Sequence, residues 1–316
     1  MDRRAFNGSL AATLLALSTP VRANNWPDRA LRFITTSTAG SPLDAMMRAL
    51  GKELGDQLKQ SIVVENRPGG TGAIGMNLAL NSPADGYTVV SATGSTSFLM
   101  AEPQARFGVD DFIFLRAMQT EPSSIAVRAD SRYRTMGELI EDLKRDASAL
   151  NIGGFAVAGF HQYVLYRLEQ VLGFSATWVP FQGGNQALMA LMGGHLDVAI
   201  MTPSTGIAQI NSGEIRLLGI SSAERTPFFP DVPTFKEQGF DVVETLWRGV
   251  MVAKGTPAPV VDRLVAELKA VEKSPTWKRF MQENRQDDLP MEQAAFQAFV
   301  AEEVKHRRTF LASIKR

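Results

Sequence analysis

The chain has 316 residues, its 33 Lys and Arg residues are balanced by 33 Asp and Glu residues, and it contains no cysteine. This length exceeds what one small core needs and suits two domains of ordinary size. The even charge balance argues against nucleic acid as a partner. The lack of cysteine excludes disulfides, thiolate nucleophiles and cysteine-ligated metals.

The N-terminus has the pattern of a secretory signal peptide. Charged residues at Asp2-Arg3-Arg4 precede a short apolar run over residues 10–17, and Val21-Arg22-Ala23 forms a small-x-small cleavage site. Arg3-Arg4-Ala5-Phe6 also resembles the twin-arginine pattern R-R-x-F, so export by either the Sec or the twin-arginine route is open. We expect residues 1–23 to be a signal peptide and the mature chain to be periplasmic.

The first half of the mature sequence alternates between predicted strands and helices, which is typical of a parallel sheet. Strands are predicted at 31–35, 61–65 and 88–92, and helices from Asp44 onward and over 71–81. Small polar loops are predicted after the first and third strands, at residues 36–42 and 93–97. Ligands bind at such strand ends in open α/β sheets, and a helix N-terminus there suits a carboxylate.

The glycine-rich stretch before the second helix also fits a dinucleotide-binding fingerprint, since residues 70–75 read G-x-G-x-x-G. That fingerprint requires the strand to run directly into the glycines, with an acidic residue about 20 positions later at the end of the next strand. Here Arg67-Pro68 intervenes, and the strand at 88–92 ends without an acid. We therefore interpret the stretch as a tight strand-to-helix turn, and we expect no cofactor.

The second half repeats the α/β plan. Strands are predicted at 112–118, 123–128, 150–153, 177–181, 196–201 and 215–220, with glycine-rich loops at 154–161 and 182–186 leading into helices and a further helix at 136–143. A long strand at 242–252 is interpreted as a return crossing. Helices are predicted at 259–271, 275–284 and 291–310, the first with Thr256 as N-cap and Pro257 at N1.

Residues suited to catalysis are few. There is no G-x-S-x-G motif, and the three histidines, His161, His195 and His306, have no metal-ligand spacing. His161 lies where a glycine-rich loop leads into a helix and could face a ligand, whereas His195 is expected at the surface. We expect neither a metal nor an enzyme. The alternative of a secreted α/β hydrolase would need a Ser or Thr hydroxyl within hydrogen-bond reach of His161, with an acid behind it.

Six short motifs occur in an order that resembles one known family. They lie at 64–69 (VENRPG), 83–88 (PADGYT), 179–183 (VPFQG), 191–198 (LMGGHLDV), 221–225 (SSAER) and 230–234 (PDVPT). Together they resemble the periplasmic solute receptors of tripartite tricarboxylate transporters, the TctC or Bug family, over nearly the whole mature chain.

The resemblance implies an α/β fold of the periplasmic-binding-protein type, a two-domain flytrap with two crossover strands (type II-like). Domain one would comprise residues 26–126 plus 249–316, and domain two residues 127–248. The expected activity is to bind a small organic carboxylate and deliver it, as a monomer, to membrane transporter subunits. A receptor that serves a sensor or regulatory membrane partner would use the same fold.

The resemblance also implies which loops hold the carboxylate across the cleft. The residues carried over are Ser37, Thr38, Ala39, Gly40, Ser41, Ser95, Thr96, Ala158, Gly159, His161, Gln182, Gly183 and Asn185. Ser41 replaces a family glycine. Ala158-Gly159-Phe160 stands where relatives often have Ser or Thr, which either favours a more apolar or aromatic carboxylate or is inert packing. Arg248, at the return crossing, could pair with the carboxylate, or with hinge carbonyls or a local acid.

Overall fold

The structure is a computed structural model that describes residues 26–146, 148 and 150–314. The predicted signal peptide therefore lies outside the described residues. The strands are β1 (Leu31–Thr35), β2 (Ile62–Asn66), β3 (Thr88–Thr93), β4 (Phe112–Pro122), β5 (Ser124–Arg128), β6 (Ile152–Phe155), β7 (Trp178–Phe181), β8 (Val198–Met201), β9 (Ile215–Ile220), β10 (Thr245–Ala253) and β11 (Asp287–Met291). The helices are α1 (Pro42–Leu58), α2 (Ala73–Leu80), α3 (Gly94–Ala101), α4 (Met136–Arg145), α5 (Phe160–Leu172), α6 (Gly184–Met192), α7 (Ile207–Asn211), α8 (Ala258–Lys273), α9 (Pro275–Glu283) and α10 (Gln293–Ile314).

These strands form two sheets. The six-stranded sheet has the order β11-β4-β10-β3-β1-β2, in which β1 runs parallel to β2 and β3 while β10 is antiparallel to β3 and β4. The five-stranded sheet has the order β7-β6-β8-β5-β9, in which β6 runs parallel to β7 and β8. The first sheet with α1–α3 and α8–α10 is termed lobe one, and the second with α4–α7 is termed lobe two.

The chain passes between the lobes twice. It first leaves lobe one between Pro122, the last residue of β4, and Ser124, the first residue of β5. It returns between Ile220, which ends β9, and Thr245, which begins β10. The predicted boundaries after residues 126 and 248 fall inside β5 and β10, and the domain limits stay a prediction.

The core of lobe one follows from the alternation of side chains along β1. Leu31 and Phe33 point to one face of the sheet and pack with residues of α1, α8 and α9. Ile34 points to the other face and joins a cluster that includes residues of α2, α3 and α10. Both faces of this sheet are therefore covered by helices, as expected for parallel α/β strands.

The C-terminal helix α10 contacts both lobes. Its residue Phe296 stacks edge-on against Trp247 of β10, with ring centroids 5.1 Å apart. Near its other end Phe310 meets Tyr163 of α5, with ring centroids 5.2 Å apart. Helix α10 belongs to lobe one, and its C-terminal end additionally reaches lobe two. In the described part of the chain, no helix combines the length and apolar character that a membrane span requires.

Three local predictions were wrong, and one strand was missed. Residues 93–97 were predicted as a loop, but Gly94 begins α3, and Thr93 caps it by accepting the N–H of Ser95. Thr256 does not cap α8, because its hydroxyl donates to the carbonyl oxygen of Ala253. Strand β11 was missed, because a short edge strand with two acids and a proline carries little strand signal. The last helix begins at Gln293 rather than at residue 291.

Candidate functional site

A cavity of about 50 Å³ lies between the two lobes, several times the roughly 10–15 Å³ that one water needs. Its wall is formed at the carboxyl ends of β1, β3, β6 and β8. The lining residues are Thr36, Ser37, Ser41, Pro42, Leu43, Thr71, Thr93, Ser95, Thr96, Phe155, Phe160, His161, Gly184, Thr202, Thr205, Leu246 and Arg248. This space is termed the inner cavity.

Four helices begin at the wall of the inner cavity, two from each lobe. Helices α1 and α3 begin beside Ser41 and Thr93 in lobe one, and α5 and α6 begin at Phe160 and Gly184 in lobe two. The first N–H groups of a helix have no partner within the helix, and the helix dipole places partial positive charge there. The convergence of these four N-termini favours an anion in the cavity without requiring an ionised side chain.

Hydroxyl groups at these helix starts are oriented by backbone N–H groups. Ser41 accepts the N–H of Asp44 at 3.3 Å, and Thr93 accepts that of Ser95 at 3.0 Å. Thr96 accepts the N–H of Thr93 at 2.9 Å. A hydroxyl has two lone pairs and one hydrogen, so accepting an N–H leaves its hydrogen able to donate. The cavity wall thus presents several hydroxyl donors to an acceptor such as a carboxylate.

His161, at the start of α5, is buried with 5 % of its surface exposed. Neither Nδ1 nor Nε2 has a hydrogen-bond partner among the residues that the structure describes. Burial, together with the nearby charge of Arg248, lowers the pKa of His161 to about 3, so the ring is neutral at neutral pH. A neutral imidazole can donate one hydrogen bond and accept another, and leaving both unmade in a buried site is costly.

The hydrolase alternative depended on a hydroxyl bonded to His161. No such bond is formed within the described ranges. Those same residues also contain no cluster of His, Asp and Glu side chains that could hold a metal ion. The geometry at His161 therefore lends the hydrolase alternative no support.

Arg248 of β10 lines the inner cavity with 3 % of its side chain exposed. Its Nη2 lies 2.5 Å from Oε1 of Glu121, a carboxylate on β4 with no exposed surface. Its Nη1 has no hydrogen-bond partner in the described part of the chain. The sequence left open whether Arg248 bonds a ligand, hinge carbonyls or a local acid. In the structure it bonds a local acid, and its Nη1 still has N–H groups to donate.

Glu121 was not identified from the sequence. Besides Arg248, it accepts hydrogen bonds from the backbone N–H and the hydroxyl of Ser204 in lobe two, at 3.2 and 2.6 Å. It thus connects the two lobes next to the first passage between them. The available signal was an acid directly before Pro122, at the end of a strand that is mostly buried.

Polar contacts join the lobes at the mouth of the inner cavity. Thr38 donates its hydroxyl to Oδ1 of Asn185 at 3.1 Å, and Nδ2 of Asn185 donates to the carbonyl oxygen of Ala39 at 3.3 Å. On another side Thr71 donates to the carbonyl oxygen of Val157 at 3.4 Å. Thr38, Ala39 and Asn185 were predicted as ligand contacts, and the structure places them at this junction.

The remaining predicted residues divide between the cavity wall and its supports. Ser37, Ser41, Ser95, Thr96, His161 and Arg248 line the inner cavity. Gly40 is exposed and its N–H donates to Asp44. Ala158 donates its N–H to Gln162, and Gly159 and Gly183 occupy the N-cap positions of α5 and α6.

A second cavity, of about 250 Å³, adjoins the first and is termed the outer cavity. Its lining residues are Thr36, Gly69, Gly70, Thr71, Gly72, Phe155, Ala156, Val157, Pro180, Phe181 and Gln182. It shares Thr36, Thr71 and Phe155 with the inner cavity. The predicted residue Gln182 lies here.

Several wall residues were missed although a usable signal existed. Thr202 and Thr205 belong to the polar stretch that directly follows β8. The rule that located the loops after β1 and β3, namely small polar residues at a strand's carboxyl end, would have located this stretch too. Leu246 gave no such signal, because it lies inside β10 and reaches the cavity only through the pairing of the strands.

Comparison with known proteins gives three consistent results. A family model described as "Tripartite tricarboxylate transporter family receptor" matches residues 46–315. Protein BugT of Bordetella pertussis is 30% identical over 255 residues, which cover 78% of this chain and 77% of BugT. The structure of the periplasmic binding protein BugD is 26% identical with a TM-score of 0.83, covering 91% of this chain and 98% of BugD.

A further solved structure, the R. palustris protein Rpa4515 with adipate, has a TM-score of 0.85 at 23% identity. It covers 89% of this chain and 96% of that protein. These likenesses confirm the predicted α/β periplasmic-binding-protein fold with two domains.

Proposed function

The chain belongs to the family of tripartite tricarboxylate transporter receptors, and from this premise we propose that it binds a small organic carboxylate in the inner cavity and delivers it to a membrane transporter. The family is one of periplasmic solute receptors. The finer statement rests on one observation: Arg248 and His161 both line the cavity with unpartnered nitrogen atoms, at the point where four helix N-termini converge.

A carboxylate matches this set of groups in both charge and hydrogen bonding. It only accepts hydrogen bonds and has about four lone-pair positions. Nη1 of Arg248, a ring N–H of His161 and the hydroxyls of Ser41 and Ser95 can all donate to it. The neutral state of His161 leaves the ring able to donate from one nitrogen while the other meets a hydroxyl or water. The adipate in the neighbour Rpa4515 is likewise a carboxylate.

Entry of the ligand requires the lobes to separate. The contacts of Thr38 and Ala39 with Asn185, and of Thr71 with Val157, lie across the mouth. Within the described residues, two segments of chain connect the lobes, so a hinge there can open the cleft while each sheet stays intact. A ligand that bonds Arg248 on one side and His161 on the other binds the closed form more tightly than the open form, and it therefore stabilises the closed form.

Thermal unfolding of the purified protein with a panel of carboxylates tests this proposal. Each acid is paired with its primary amide, which has a similar shape but no negative charge. A ligand present at about 100 times its Kd stabilises the protein by roughly 2.7 kcal/mol, which raises the Tm by several degrees. We expect shifts from acids and none from their amides. Stabilisation by amides alone, or turnover of any compound, contradicts the proposal.

Delivery is tested separately, in membrane vesicles that contain the transporter. Adding the purified receptor with its radiolabelled ligand should restore uptake of the ligand into the vesicles. A receptor that serves a sensor partner would bind the ligand equally well but would not restore uptake.

A further inference from the structure

Helix α10 carries a buried ion pair behind the wall of the inner cavity. Glu303 and Arg307 lie one helical turn apart, with Nη2 of Arg307 2.8 Å from Oε1 of Glu303. Their side chains are only 12 and 7% exposed. Removing two charges from water offsets much of their attraction, so such a pair adds little to stability by itself. The further contacts of the two side chains therefore decide what the pair does.

Glu303 holds two elements of lobe one. Its Oε2 accepts the hydroxyl of Ser97 on α3 at 2.9 Å and the indole N–H of Trp247 on β10 at 2.7 Å. The chain neighbours of these two residues, Thr96 and Arg248, line the inner cavity. Because successive residues of a strand point to opposite faces, Trp247 faces α10 while Arg248 faces the cavity. Glu303 thus supports α3 and β10 from the side away from the cavity.

Arg307 reaches from lobe one to lobe two. Its guanidinium carbon lies 4.8 Å from the ring centroid of Phe98 on α3 and 4.1 Å from that of Tyr163 on α5. Its Nη2 lies 3.7 Å from Oε2 of Glu244, on the return passage between β9 and β10. A cation over an aromatic face is attracted to the ring, and more strongly where water is excluded. One guanidinium therefore contacts both lobes and one of the passages between them.

The lobe-two side of this contact is ordered by its own bonds. Arg167 of α5 donates to Oε1 of Glu244 at 2.8 Å and to the hydroxyl of Tyr163 at 3.3 Å. The ring of Phe310 on α10 packs against Tyr163 and Tyr166, with centroids 5.2 and 4.9 Å away. The contact between α10 and α5 thus combines paired charges with aromatic packing.

We propose that this contact is a third, non-covalent connection between the lobes, beside the two passages of the chain. Points near a hinge move least when two bodies rotate about it. Since Glu244 lies on one of the passages, the contact of Arg307 can persist while the mouth opens. Glu303 and Arg307 then act as positioning residues, which hold α3, α5 and β10 behind the cavity and limit how far the unliganded lobes separate. This restriction can be measured without any ligand, whereas its effect on affinity rests on the proposed function.

Distances between spin labels on the two lobes test this connection by pulsed electron paramagnetic resonance. The chain has no cysteine, so Ile74→Cys on α2 and Met189→Cys on α6 place labels at two exposed positions alone. In this background Arg307→Met removes the charge and keeps a long side chain. Arg308→Met is the matched control, because Arg308 is exposed at the next position of the same helix.

Without ligand, Arg307→Met should broaden the label distances toward longer values, and Arg308→Met should leave them unchanged. Arg307→Lys keeps a cation and should broaden them less than Arg307→Met does. If Arg307→Met does not fold, Glu244→Gln gives the same test, because it keeps the side-chain shape and removes a charge that faces Arg307. Unchanged distances, or an equal change in Arg308→Met, overturn the inference and leave the proposed function standing.

The affinity for a carboxylate from the thermal panel gives a second readout. A wider unliganded ensemble lowers the population of the binding-competent form, and the Kd rises in proportion. We expect a rise of about tenfold for Arg307→Met, with label distances at saturating ligand equal to those of the unmodified protein. An unchanged Kd contradicts the positioning role. If no carboxylate binds the unmodified protein, the proposed function fails, while the distances without ligand still decide whether the connection exists.

Discussion

The buried pair of Glu121 and Arg248 allows a quantitative test of how the two lobes and the site are held together. Glu121→Gln leaves the guanidinium of Arg248 buried without its counter-charge, and Arg248→Met leaves the carboxylate of Glu121 in the same condition. Both side chains are almost fully buried, at 0 and 3 % exposed, so water cannot replace the lost partner.

The expected magnitude follows from this burial. Removing one partner of a buried ion pair costs about 3–5 kcal/mol in the free energy of unfolding, mostly because an uncompensated charge remains. Removing both charges eliminates that penalty. The double variant Glu121→Gln/Arg248→Met should therefore unfold within about 2 kcal/mol of the unmodified protein, although Ser204 loses a charged acceptor. The coupling energy between the two sites is then several kcal/mol.

The assay is urea-induced unfolding at pH 7.5 without ligand, followed by circular dichroism and analysed as a double-mutant cycle. Asp56→Asn is the control, because the pair of Lys52 with Asp56 has similar chemistry at 3.1 Å but about 70% exposure on both sides. Its midpoint should not change. Additive losses in the double variant, or single variants as stable as the unmodified protein, would refute the reasoning about the buried pair.

Three further predictions concern the histidine and the lobe junction. Because burial lowers the pKa of His161 to about 3 from 6.5, the unfolded chain takes up this proton first. This group therefore contributes its full stability above about pH 6.5 and loses it as the pH falls toward 3, by about 2 kcal/mol at pH 5. In urea unfolding, the His161→Gln variant should lack this loss of stability at low pH. The control variant His195→Gln, which changes an exposed histidine, should retain it. Equal pH profiles for the two variants would contradict the prediction. Gly183→Ala places a methyl group 2.3 Å from Oγ1 of Thr38, on the facing lobe. The lobes can then no longer approach as closely, so titration calorimetry should show weaker ligand binding. An unchanged Kd would show that ligand binding does not need this close approach. Asn185→Ala removes two hydrogen bonds across the mouth and should raise the Kd about tenfold with an unchanged unfolding midpoint; a lowered midpoint would mean that Asn185 acts on folding rather than on closure.

Local patterns in the sequence were sufficient for much of this structure. The strand at Leu31–Thr35 and the helix that follows it were predicted from apolar periodicity and a polar turn. The same rule placed Ser41 and Ser95 at strand ends, and both line the inner cavity. These features depend on neighbours within a few positions along the chain, which is why one sequence reveals them.

Features that depend on distant pairings could not be predicted in this way. The bond between Glu121 and Arg248 exists because β4 and β10 are adjacent in the sheet, and no local pattern specifies that adjacency. The junction of Thr38 with Asn185 likewise depends on how one lobe faces the other. The first turn of α3 was mistaken for a loop, because Gly, Ser and Thr have weak helix propensity and the capping by Thr93 outweighs it.

The most direct test of the central claim is a crystal structure of the protein with the tightest-binding carboxylate from the thermal panel. We expect the carboxylate oxygens within about 3 Å of Nη1 of Arg248 and of a ring nitrogen of His161, which gives both unpartnered groups their hydrogen bonds. A carboxylate bound elsewhere, with Arg248 and His161 still unpartnered in a closed cleft, would contradict the assignment of this site.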